Sequence, residues 1–262
     1  MVMAIILKGE IVNDGENVII TSQDLQMIYE YLNENNYKIF DENEKFKMIK
    51  RLLKKGNDYH INNARIDFPQ IFNNEMLLWK ISDMFIDENA LYFALYTDTI
   101  ENIPFRNSPQ LILRSTFGSY KIQIFNNKIL IFMFCPYADR WILKRPLKEI
   151  LEDKNIKISS VKWDSDHLKT IRNNDSSKNI SEKIDGIETR VKATITAPDG
   201  LENTQIGPEL ESQGNLKQIY FISRNYPGNT IKIDGENGII TTDLDETQTI
   251  SYVRNILNLS NF

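Results

Sequence analysis

Cysteine is nearly absent from this 262-residue chain, and the single copy, Cys135, excludes an intramolecular disulfide and a cysteine-based zinc site. Histidine occurs only as His60 and His167, and no glycine-framed nucleophile elbow accompanies them. There is no Gly-x-Gly-x-x-Gly and no Walker sequence, so the common phosphate-cradling loops are missing and no motif implies a cofactor. No stretch approaches the roughly 18 apolar residues of a membrane span. The apolar start Met1–Leu7 is cut by Lys8 and Glu10, short of a secretory h-region. A soluble cytoplasmic protein with no membrane contact is the expectation. Basic excess is missing too: 36 acidic against 31 basic residues give a net charge of -5. Any nucleic-acid contact would therefore need a local patch.

What is present is an apolar fraction of 41%, enough for a proper core, and a near-duplicated octamer. Asp14-Gly-Glu-Asn-Val-Ile-Ile-Thr21 returns as Asp234-Gly-Glu-Asn-Gly-Ile-Ile-Thr241, differing at one position. Asp-Gly supplies the positive φ of a two-residue turn, so each copy reads as a hairpin. An amphipathic helix follows each, with Leu25, Ile28, Tyr29 and Leu32 on one stripe and Ile250, Val253, Ile256 and Leu257 on the other.

Between the copies, Asp41 with Glu44 has capping-box spacing and opens a second helix. Asn73 or Asn74 is read as starting a third helix through Phe85. Strands are predicted at Ala90–Thr97, Gln110–Thr116, Tyr120–Phe125 and Lys128–Phe134, the last two joined at Asn126-Asn127 and the last covered on both faces. A helix is predicted from Arg145, with Pro146 at its first position, to Asp153. A strand at Ile156–Lys162, a short helix at Asp164–Asn173 and strands at Gly186–Ala197 and Leu216–Ser223 complete the reading. The fold class is α+β: antiparallel sheets flanked by helices, with a hairpin-helix unit at each end. Residues 1–172 are taken as an N-terminal domain, 173–185, poor in large apolar residues, as a linker, and 186–262 as a small β-rich module.

Four groups of residues could carry chemistry. Lys47, Lys50, Arg51 and Lys54 make the second helix a candidate polyanion face, although acids at its start and lysines at its end also suit the dipole of an ordinary solvated helix. Arg140 and Lys144 flank Trp141, a mixture that anchors partners or stacks bases, with Trp141 itself read as core. Asp164, Asp166 and His167 lie close enough to suggest a divalent-metal site, although the position of Asp164 favours capping the helix it begins over ligating a metal. Finally, Thr242-Asp-Leu-Asp-Glu-Thr247 resembles the first motif of the haloacid-dehalogenase phosphatases, a resemblance that would make Asp243 a nucleophile and Asp245 its acid/base partner. The same letters read as the acidic start of the last helix.

The functional expectation is a non-catalytic cytoplasmic interaction protein that binds a protein partner or itself. The alternative is a nucleic-acid-acting enzyme or polyanion-binding protein that uses the basic helix and the Asp164 carboxylate cluster.

Overall fold

The computed structural model describes residues 2–11, 21–45, 47, 77–87, 89–105, 108–186, 192–201, 204, 209 and 212–259. Its strands are β1 (Val2–Ile11), β2 (Tyr37–Ile39), β3 (Leu78–Asp87), β4 (Ala90–Phe105), β5 (Ser108–Phe125), β6 (Lys128–Phe134), β7 (Ile156–Ser160), β8 (Ser176–Asp185), β9 (Lys192–Thr196), β10 (Asn215–Ser223), β11 (Thr230–Asp234) and β12 (Ile239–Thr242). The longer helices are α1 (Ser22–Glu34), α2 (Arg140–Glu152), α3 (Ser165–Asp175) and α4 (Glu246–Leu259). All twelve described strands join one antiparallel sheet in the order β2-β3-β4-β5-β6-β1-β12-β11-β10-β8-β9, with β7 alongside β1. The α+β class read from the sequence is the observed one.

β1 is the hinge of this order. One of its edges pairs with β6, while the other takes β12 at Val2–Ile5 and then β7 at Leu7–Ile11. Both its faces are buried, and so are both faces of β6. Ile5, Leu7, Ile129, Ile131 and Met133 point to one core beneath α1 and α2; Ala4, Ile6, Leu130, Phe132 and Phe134 point to the other beneath α3 and α4. A strand covered on both sides reads as a continuous apolar run, which is why Lys128–Phe134 was legible as a central strand.

Several local readings are corrected. From Leu78 on, the predicted third helix is strand β3, in which Trp79 and Ile81 are buried and Lys80 is exposed, while its expected start at Asn73 or Asn74 lies outside the described residues. A β-bulge lies between Ser82 and Phe85, with Asp83 at φ +53, so the period-two pattern slips and imitates helical spacing. The two strands predicted on either side of Gly118 are one, β5. Gly118 is a contact point and not a break: a Cβ there would lie 3.1 Å from the Phe134 carbonyl and 3.2 Å from Leu143. Helix α2 starts five residues earlier than predicted, which leaves Pro146 inside it. The missing N–H is tolerated because Leu143, Leu147, Ile150 and Leu151 bury that face. The supposed linker 173–185 is the end of α3 and strand β8, which pairs with β10 on one side and β9 on the other.

The second octamer forms the predicted hairpin, β11–β12, followed by α4. Its turn differs from the Asp-Gly expectation. Asp234 ends the strand and its carboxylate accepts from the backbone N–H groups of Glu236 and Asn237, both at 3.1 Å, and the positive φ falls on Gly238 at +65. The hairpin expected at the first octamer lies largely outside the described residues, though α1 follows it, with Thr21 N–H donating to Asp24 at 2.6 Å. The Asp41–Glu44 capping box is present, with Glu44 N–H donating to Asp41 at 2.7 Å. Among the described residues no helix is long and apolar enough to cross a membrane.

Candidate interaction surface

The helices α1 and α2 cover one face of the sheet over its N-terminal strands, whereas α3 and α4 cover the opposite face over its C-terminal strands. Among the described residues α4 reaches only the β5 edge of this face, where Glu246 bonds Ser119 and Glu246 and Ile250 line one groove with Phe85, Tyr92 and Lys121, and the side chains of β3, β4 and β5 there form a register-built pattern. Lys80, Tyr96 and Phe117 are cross-strand neighbours in one row; Phe85, Tyr92 and Lys121 form another. Between them runs a row of small residues, Ser82, Ala94 and Ser119. Four residues separate Tyr92 from Tyr96, so the aromatic rows stand roughly 13 Å apart across a shallow trough.

Within each row the rings stack, Phe85 on Tyr92 at 4.8 Å between centroids and Tyr96 on Phe117 at 5.7 Å. Lys121 lies over the Tyr92 ring at 4.9 Å. Yet these large side chains remain in water: Phe117 is 61% exposed, Phe85 53% and Tyr96 42%. The neighbouring acids are already engaged. Asp98 accepts from Ser115 Oγ at 2.5 Å and from the Leu78 N–H at 3.0 Å, and Glu246 accepts from Ser119 Oγ at 3.2 Å.

β4 and β5 run on past their neighbours. β3 last pairs at Thr97 and β6 at Ser119, while the two long strands stay paired from Asp98–Ser115 to Phe105–Ser108. Among the described residues this leaves a two-stranded arm of about 27 Å. At its root is a cleft of about 900 Å³ that Phe117 shares with Cys135, Tyr137, Asp139 and Lys232. Asp139 is buried there, bonded by Thr116 Oγ1 at 2.6 Å and paired with Arg114, which also reaches Glu101 at 2.9 Å. Burial, and then the Asp139 charge, push the Cys135 thiol up to about 12, so it stays protonated and a poor nucleophile at neutral pH. Arg140 lies 3.6 Å from the centre of the Tyr137 ring and 5.3 Å from that of Trp141, both rings being exposed.

The residues singled out in the sequence do not gather here as one site. Lys47 is exposed near the start of the second helix; Lys50, Arg51 and Lys54 lie outside the described residues. Arg140 joins the Tyr137–Trp141 cluster, and Trp141, expected in the core, is 60% exposed. Lys144 turns inward to Ser160 Oγ at 3.1 Å, its pKa lowered by burial and then by Lys148. Asp164 caps α3, accepting from the His167 N–H at 2.9 Å and lying 3.1 Å from its ring nitrogen Nδ1. Among the described residues no three His, Cys, Asp or Glu side chains converge as a metal cage would need. In the phosphatase-like hexapeptide, Asp243 accepts from Thr230 Oγ1 at 2.5 Å and Asp245 from the Gln248 N–H at 2.7 Å, so both carboxylates hold the hairpin and the helix start.

The sequence reading missed the aromatic rows. Their signal is the alternation Tyr92-x-Ala94-x-Tyr96 and Phe117-x-Ser119-x-Lys121, which becomes a surface only once the register aligns the three strands. No family model, no curated protein and no solved structure matches the chain.

Proposed function

We propose that the protein is a non-catalytic interaction protein that docks a polypeptide on the β3–β4–β5 surface. The observation that carries this reading is the set of stacked aromatic rings left in water on a rigid sheet. Exposed aromatic residues grouped in one patch are costly to leave in water, and Tyr, Trp and Arg are the residues that dominate binding energy at protein interfaces. The Tyr137–Arg140–Trp141 cluster at the start of α2 is a second exposed group of such residues. Cys135, kept as a thiol, suits a reducing compartment, and a cytoplasmic location belongs to the same reading. The alternative of metal-assisted chemistry on nucleic acid draws less support, because Asp164 already serves as a helix cap.

A photo-crosslinking residue at position 117, introduced in cells that make the protein, tests the reading. Irradiation is expected to give a discrete polypeptide adduct, with none from the same probe at Lys169 on α3. Equal yields of nothing, or of smear, at both positions would sink it.

A further inference from the structure

The exposed rows share a symmetry of chemistry that their backbones lack. The first reads Lys80, Tyr96, Phe117 from β3 to β5, and the second Phe85, Tyr92, Lys121. A half-turn through Ala94, perpendicular to the sheet, exchanges lysine with lysine, tyrosine with tyrosine, phenylalanine with phenylalanine and Ser82 with Ser119. Such a pattern is complementary to itself. When a second copy faces it about a two-fold axis parallel to β4, every row meets its own reverse. Lys80 then faces Phe117 of the second copy, Lys121 faces Phe85, and each tyrosine faces its own equivalent. Because the rings of each row stack on one another, their edges point outward and the opposed lysine can cover only the outer face of Phe117 or Phe85; tyrosine edges meet tyrosine edges, and the small residues of the trough allow close approach. No lysine meets a lysine.

We infer that this surface is the interface of an isologous homodimer whose two-fold axis runs parallel to β4. The inference rests on the proposed reading of the surface as a docking face and narrows its occupant to a second copy of the chain. Helix α4 selects the axis. It rises from the same face on the β6 side, beginning at Glu246 beside Ser119 and running toward Phe125, where Arg254 sits 5.8 Å from the ring. Turned about an axis parallel to β4, each α4 runs along the outer side of β3 of the other copy, with its Glu246 near Ser82. There β2, which pairs only with Leu78–Lys80, has ended. Turned about an axis along the trough, the two α4 N-termini would meet head to head, with Glu246 against Glu246 and like dipole ends opposed. Three strands give less contact than the roughly 800 Å² per partner of a standard stable interface, so the dimer is concentration-dependent.

Sedimentation equilibrium of the purified full chain, taken to about 200 µM to suit an interface below standard size, is the test. The chain is expected to show a reversible monomer–dimer equilibrium. Phe117→Lys sets two lysines against each other and is expected to weaken it at least about tenfold. Adding Lys80→Phe reverses that row, which remains complementary about the β4-parallel axis, so association is expected to return to within about threefold of the parent. About an axis along the trough, the same double substitution would oppose lysines and recover nothing. Circular dichroism confirms that the variants fold, both sites being exposed. A chain that stays monomeric throughout, a Phe117→Lys variant that dimerises normally, or a double variant that does not recover would each overturn the dimer. A position-117 crosslink to a polypeptide of another mass from cells, with a monomeric purified chain, would remove the dimer and leave the docking reading standing.

Discussion

Tyr120 shows how one buried hydroxyl ties stability to pH. It is fully buried on β5, stacked on Phe93 at 4.9 Å, and donates to the Leu143 carbonyl of α2 at 3.0 Å. Burial, and then the neighbouring Cys135, hold its pKa well above the ordinary 10.0. Above pH 10 the unfolded chain gives up this proton while the folded chain keeps it, so stability is fully present below that pH and falls as pH rises through it. Tyr252 on α4, raised by burial and then by Asp175, acts in the same direction. Tyr120→Phe is expected to cost about 1 kcal/mol at pH 7, through loss of the hydrogen bond, and to flatten the decline above pH 10. Urea unfolding at pH 7 and pH 11 checks both halves; an unchanged alkaline slope would remove Tyr120 from the account. Chemistry at this scale was partly legible. Asp164 and the Asp41–Glu44 pair cap helices as their spacing predicts, but Trp141 and Lys144 exchange the places expected of them. The turn of α2 decides which side chain faces the sheet, and a helix read from Arg145 leaves Trp141 and Lys144 outside it, with no face assigned to either.

Among elements, the β11–β12 turn is the most informative. Gly238 combines φ +65 with close packing, since a Cβ there would stand 2.6 Å from the Val161 carbonyl oxygen and 2.8 Å from that of Ile6. The Ile6 N–H donates to the Gly238 carbonyl at 2.8 Å, so the turn is sewn to β1. The one letter at which the octamers differ is this glycine, replaced by valine at Val18, and a β-branched residue strongly disfavours that backbone conformation. The duplication thus marks two places where a helix follows, while only the second copy carries the residue this turn requires. Gly238→Ala is expected to destabilise the fold by about 2–4 kcal/mol, more than the usual cost of a surface turn glycine, because strain and backbone clash add. A shift of less than about 0.5 kcal/mol in chemical denaturation would contradict the packing described. The hairpin at Asn126-Asn127 was legible for the opposite reason: both asparagines take positive φ, at +50 and +58, and nothing beyond the local letters is needed.

At the scale of the whole molecule, one antiparallel sheet carries two cores on opposite faces, offset along its width. That offset leaves the aromatic rows uncovered among the described residues. If they are a surface and not a displaced part of the core, replacing Tyr96 and Phe117 together by serine should cost less than about 1 kcal/mol, the size of a cross-strand aromatic pair. The same change should sharply reduce binding of a hydrophobic dye to the native protein. A loss of several kcal/mol, or unchanged dye binding, would show that the rings act as core. The sequence alone determined the α+β class, the amphipathic faces of α1 and α4, the doubly buried β6, the helix caps and the absence of phosphate-loop motifs. Each depends on neighbours a few residues apart, where periodicity and local hydrogen bonding are decisive. Tertiary structure decided the rest: that 176–185 is a strand inside the sheet, that β3 is not a helix, and that Tyr96, Phe85 and Phe117 face water while Leu91, Phe93 and Leu95 do not. Both faces of β4 are apolar in the sequence, and only the placement of helices on one side, set by contacts between residues far apart in the chain, determines which of the two stays open.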